Sequence, residues 1–120
     1  MFDHRKEARK KVIKFTPVYQ LQPKTLLGYL VDLNLHGAQV EGERAAEINQ
    51  QLTLSIEFPA DLPEVPSAPF TIPARVARCV SGESPTFYNL GFQFTEITPE
   101  QTRVIEAIIN RYAFGKEMVE

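Results

Sequence analysis

Residues 51–58 alternate without interruption, with Leu52, Leu54, Ile56 and Phe58 on one side and Gln51, Thr53, Ser55 and Glu57 on the other. A period of two sends successive side chains to opposite faces of an extended chain, so this segment is a strand buried on one face. Five more runs read as strands. Val12 to Tyr19 is rich in β-branched and aromatic residues, with Pro17 implying an edge or a bulge. Thr25 to Leu33 follows a turn around Gln22-Pro23-Lys24, and Ala38 to Glu41 follows the break at Gly37. Phe70 to Val80 and Thr86 to Thr95 are joined by the turn Ser81 to Pro85, with Leu90, Phe92 and Phe94 alternating inward in the second. Six short strands at regular spacing predict a mainly β fold, an antiparallel barrel rather than a sandwich of two large sheets.

The connections fit that frame. Gly42 to Gln50 is polar and reads as a loop with a helical turn, and the four prolines from Pro59 to Pro69 require a surface loop. The end of the chain is helical. Thr98 is placed to cap, Pro99 occupies the first helical position, and Gln101 completes a capping box. Val104, Ile105, Ile108, Ile109 and Tyr112 then form one apolar stripe that stops at Gly115. Such an amphipathic helix covers an open end or seam of the barrel. The division expected is a single domain over 1–120, with an arm at 1–11, a barrel at 12–96 and a helix at 98–114.

Length and composition are those of one ordinary globular domain: 120 residues, 43% hydrophobic and 23% charged. No apolar run approaches the roughly 20 residues that span a bilayer, so no membrane insertion is expected. Charge near Met1 leaves no room for the apolar segment of a signal peptide. Cys79 is the single cysteine and suits a reducing compartment, so the expected location is the cytoplasm. The charge is unevenly placed. Residues 1–14 hold six cations against two anions, while the rest hold seven cations against thirteen anions. A basic head on an acidic body is either a site for an anionic ligand or a solvated tail.

Catalytic templates are missing from the sequence: there is no glycine-rich phosphate loop, paired-histidine metal motif, CxxC or serine elbow. His4 and His36 lie far apart with no cysteine beside them, which disfavours a metal site. Cys79 sits within a strand and reads as an inert thiol. A non-enzymatic protein with no cofactor and no metal is expected.

Two clusters remain, Arg5-Lys6-Glu7-Ala8-Arg9 and Asp32-Leu33-Asn34-Leu35-His36-Gly37, with 22 residues between Arg9 and Asp32. In that order they resemble the signature of the PilZ family, an RxxxR motif followed by [D/N]xSxxG. Leu90-Gly91-Phe92-Gln93-Phe94 is similar to a late strand of the PilZ barrel, and the helix after Thr98 falls where that family places its own. The resemblance covers essentially the whole chain. It implies a six-stranded Greek-key barrel that binds cyclic di-GMP through Arg5, Arg9, Asp32, Asn34 and Gly37, with the arginine arm wrapping the ligand on the barrel's outer surface.

The residue chemistry agrees with what the resemblance implies. Guanidinium forks can bond guanine O6 and N7, bridge to phosphate or stack on a base, whereas a carboxylate at Asp32 accepts from the guanine Watson–Crick edge. Gly37 would keep the turn tight, through close approach of backbone to ligand or a positive φ. Asn34 departs from the motif serine; it either offers the same donor and acceptor on a longer arm or closes an Asx-turn. Arg75 and Arg78 lie in one strand, where alternation lets only one of them face the ligand.

Three functions compete. The first is a cyclic di-GMP receptor whose arm moves on binding and signals to a partner protein. The second is an adaptor in pilus or flagellar machinery that needs no nucleotide, and Asn34 favours it. A nucleic-acid-binding barrel ranks last, because the acidic body and the lack of interleaved exposed aromatics disfavour a tracking groove.

Overall fold

The computed structural model describes residues 10–59, 61–63, 65, 69–82 and 86–115. In chain order the elements are β1 (Lys11–Lys14), β2 (Pro17–Gln20), β3 (Thr25–Leu33), β4 (Gly37–Gly42), β5 (Gln51–Ile56), β6 (Phe70–Ser81), β7 (Tyr88–Phe94), α1 (Pro99–Arg111) and β8 (Tyr112–Gly115). Six of these strands close into a barrel in the order β2-β3-β4-β7-β6-β5, antiparallel at every seam. Strands β5, β6 and β7 form a meander, and β4 pairs with β7 although it is joined in sequence to β5. That is a Greek-key arrangement, and it carries the expected six strands. Closure leaves no unpaired barrel edge.

The alternating apolar residues fill the barrel. Val18, Leu30, Val40, Leu54, Ile56, Ile72, Val76 and Leu90 are all essentially inaccessible to solvent and belong to one cluster. The helix adds Ile105 and Ile108, each fully buried in the same cluster, and burying such a side chain is worth about 1.5–3 kcal/mol. Its start has the expected chemistry: Thr98 Oγ1 accepts from Gln101 N at 3.0 Å while Thr98 N donates to Gln101 Oε1 at 2.9 Å. Gln101 Nε2 also donates to the carbonyl of Thr71 on β6 at 2.9 Å, tying the first turn to the barrel.

Two expectations are corrected. The run Val12 to Tyr19 is two strands, because Phe15 adopts φ 61, a left-handed conformation that interrupts extended backbone. Pro17 is the first residue of β2, where its missing N–H costs least. Strand β1 leaves the barrel and pairs in parallel with β8, from Lys11 opposite Tyr112 to Lys14 opposite Gly115. The helix accordingly ends at Arg111, not at 114. Tyr112 is extended at φ -131 and ψ 149, and its N–H still donates to the Ile108 carbonyl. The apolar stripe runs on into the strand because both elements pack on the same core, with Phe114 lying 6.0 Å from the Phe58 ring.

Candidate functional site

Asp32 lies near the end of β3, just past a bulge. Leu30 pairs with Val40 and Asp32 pairs with Gln39, so Val31 is an extra residue in the ladder. The bulge keeps Leu30 facing the core and Asp32 facing solvent. The chain then turns through 34–36 into β4. Asn34 Oδ1 accepts the backbone N–H groups of His36 at 2.8 Å and Gly37 at 3.1 Å, and Asn34 N donates to the Gly37 carbonyl at 3.0 Å. This is an Asx-turn that closes the β3–β4 hairpin. The side-chain oxygen of Asn34 is therefore committed to the loop, while its amide NH2 makes no hydrogen bond among the described residues.

Gly37 serves a neighbour other than the one expected. It does not have a positive φ, and a Cβ on it would collide with the Phe92 carbonyl of β7. The glycine lets β4 and β7 approach across the Gly37–Gln93 pair, so its geometric need comes from inside the barrel wall.

The strand register carries the surface away from Asp32. Asp32 lies opposite Gln39, Gln39 opposite Gly91, and Gly91 opposite Arg78. Adjacent strands are about 4.8 Å apart, so this outward row runs roughly 14 Å between the backbone positions of Asp32 and Arg78. Gly91 contributes no side chain, and a hollow of about 190 Å³ opens over it, lined by Gln39, Arg78, Val80, Asn89, Leu90 and Gly91. A Cβ on Gly91 would lie 3.2 Å from the Arg78 Cβ, so the glycine is the floor on which Arg78 rests. Asp32 and Arg78 are exposed, and neither side chain makes a hydrogen bond or ion pair among the described residues.

Arg75 and Arg78 share this outer face, contrary to simple alternation. Arg75 pairs with Gln93, Val76 with Phe92 and Arg78 with Gly91, so Ala77 is extra and the bulge restores the phase. Sequence alternation in β6 alone could not reveal this, because the bulge is a property of its pairing with β7. Gln39 carried no signal in the sequence and Gly91 only that of its strand; register alone places them between Asp32 and Arg78.

Arg5 and Arg9 lie outside the described residues. The chain from them enters β1 through Lys10. A larger hollow of about 680 Å³ is lined by Phe15, Leu26, Tyr29, Phe87 and others, with Glu41, Glu43 and Arg44 also on its wall. Its apolar floor, with two carboxylates to one guanidinium in the lining, suits a dianionic ligand poorly. Among the described residues no cluster of three or more His, Cys, Asp or Glu side chains could hold a metal ion, and no helix is long and apolar enough to cross a membrane.

The PilZ domain family matches residues 3–114, and the chain belongs to that family. Two solved structures share its fold. The Bacillus subtilis inhibitor of motility, MotI/DgrA, superposes with a TM-score of 0.59 at 16% identity, over 79% of this chain and 45% of that one. The chain thus spans less than half of MotI. The PilZ domain of Escherichia coli YcgR, solved with c-di-GMP, superposes with a TM-score of 0.50 at 17% identity, over 82% of this chain and 87% of that one. No curated protein matches the chain in sequence.

Proposed function

We propose that the protein is a non-catalytic receptor for cyclic di-GMP, which it binds on the outer barrel face with Asp32, Asn34 and Gly37 on the wall and Arg5 and Arg9 on the arm. The observation that carries this reading is the outward row from Asp32 to Arg78 beside the Asn34–Gly37 turn. It presents a free carboxylate for a guanine edge and a free guanidinium for phosphate or base, separated by Gln39 and the bare backbone of Gly91. The YcgR domain, a fold relative, was solved with this ligand. The arm adds the remaining cations. Ordering the arm over the ligand costs conformational entropy and changes the surface offered to a partner protein, which makes a switch. The expected setting is the bacterial cytoplasm.

Asn34 has a divided part in this scheme. Its oxygen holds the turn, and its amide remains available as a donor to the ligand. The commitment of that oxygen is also what favours a second reading, a nucleotide-independent adaptor in pilus or motility machinery. Calorimetry separates the two. The receptor binds cyclic di-GMP with micromolar or better affinity, and Arg9→Ala or Asp32→Ala weakens it by the about 1.5–3 kcal/mol of a charge-assisted bond. No heat with wild-type protein, together with nucleotide-independent capture of a partner, would establish the adaptor instead.

A further inference from the structure

We propose that Arg75 is a second, preset phosphate-binding side chain on the barrel wall, held in place by Asn49 and Gln93. The proposal rests on the cyclic di-GMP reading above and extends its site to a residue outside both sequence motifs. Arg75 Nη1 donates to Asn49 Oδ1 at 2.8 Å, and Arg75 Nη2 donates to Gln93 Oε1. Both acceptors are neutral, and Arg75 has no carboxylate partner among the described residues. The guanidinium is thus oriented without being neutralised. Two of its five N–H donors are used, and three remain for an anion.

Its location suits that task. Arg75 lies in the row Gly37–Gln93–Arg75, one outward step along the strands from the row Asp32–Gln39–Gly91–Arg78. An outward step is two residues, or roughly 7 Å. Through the Ala77 bulge the barrel therefore offers two guanidinium positions side by side, beginning beside the Asn34–Gly37 turn. A cyclic dinucleotide carries two phosphates, one on each side of its ring. Arg78 and Arg75 supply one wall cation for each phosphate, and of the two Arg75 is the one held in place by neighbouring side chains.

The holder residues have signatures of their own. Asn49 has φ 74, a left-handed conformation that asparagine tolerates better than most residues. Its backbone N–H is fixed by the Val76 carbonyl at 2.7 Å, so the loop before β5 is clamped to β6 beside Arg75. Asn49 and Gln93 are therefore positioning residues, acting on the ligand through Arg75.

The test is calorimetric titration of the full chain with cyclic di-GMP at low and at high salt. Arg75→Ala is expected to lower affinity about 10- to 100-fold at low salt, the value of a charge-assisted bond, and less at high salt as screening grows. Asn49→Gly keeps the left-handed backbone while removing the carboxamide. It should weaken binding in wild type and have no further effect in an Arg75→Ala background, as expected when one residue acts through the other. Unchanged thermal midpoints in the absence of ligand show that the variants fold. Wild-type binding with an unchanged affinity for Arg75→Ala overturns this proposal alone. An affinity loss that salt does not alter, or additive effects of the two substitutions, overturns it as well. A wild-type chain that takes up no cyclic di-GMP overturns the receptor reading and this proposal together.

Discussion

Replacing Gly37 by alanine separates two reasons for a glycine at the end of the second motif. If the glycine exists for close approach to ligand, alanine weakens binding and leaves the empty protein intact. The structure gives the other answer. The added Cβ would overlap the Phe92 carbonyl oxygen, and would lie 3.1 Å from the carbonyl carbon and 3.4 Å from the Gln93 Cα, all backbone atoms that no rotamer can move aside. Relief requires β4 and β7 to part, which strains the ladder on either side of the Gly37–Gln93 pair, including the 2.9 Å bond from Phe94 N to the His36 carbonyl. Losing two backbone bonds of ordinary net value, with some desolvation left uncompensated, costs about 2–4 kcal/mol. Against a domain stability of about 5–15 kcal/mol that is a large fraction. With a urea m-value of about 2 kcal/mol/M, the midpoint should fall by about 1–2 M. Urea unfolding of the ligand-free protein, followed by circular dichroism, measures it. A midpoint within experimental scatter of wild type would refute the steric argument and return the glycine to the ligand.

Thr16 is 1% exposed and its hydroxyl has no hydrogen-bond partner among the described residues. Thr16→Val removes a stranded polar group at nearly constant volume and should raise stability by about 1–3 kcal/mol, measured by the same unfolding curve. Asn34→Ala loses both bonds to the turn and should cost about 1–2 kcal/mol, whereas Asn34→Ser retains an acceptor and should cost less; comparing their unfolding midpoints without ligand shows whether the side chain builds the loop. Thr98→Ala removes half of the capping box and should destabilise the protein by about 1 kcal/mol, visible as a lower thermal midpoint.

Features set by short stretches of chain were legible in the sequence. Thr98, Pro99 and Gln101 announce the helix start because capping is completed within four residues. The alternation from Gln51 to Phe58 identifies its strand because an apolar face imprints a period of two, although Ser55 on the polar side is buried as well. Asp32 reaches the surface as the motif implied, although the bulge that puts it there could not be inferred from β3 alone. What escaped depends on partners distant in sequence. The helical stripe runs to Tyr112, and nothing near Tyr112 says that Lys11 will pair with it. Phe15 carries a left-handed φ in a segment whose β-branched and aromatic neighbours favour continuous extension. Arg75 and Arg78 appear three apart on opposite faces until the register with β7 discloses the extra residue at Ala77. Gly37 was legible as a glycine with a purpose, but its purpose lies in the carbonyl of Phe92, 55 positions later in the sequence.

The β1–β8 pair also gives the barrel a mechanical axis. Because the two strands run parallel, the chain enters the pair at Lys11 and leaves it at Gly115, at opposite ends of a four-residue ribbon. Tension between the preceding and following segments is therefore directed along the strands. It loads the bonds of the ribbon simultaneously, in shear, before any force reaches the barrel seams. A pull that lifts β1 sideways would instead open the same bonds one after another. The ribbon is thus stiff when stretched along its strands and compliant when β1 is lifted away from β8, so the two strands can part at modest force while the barrel behind them keeps its shape.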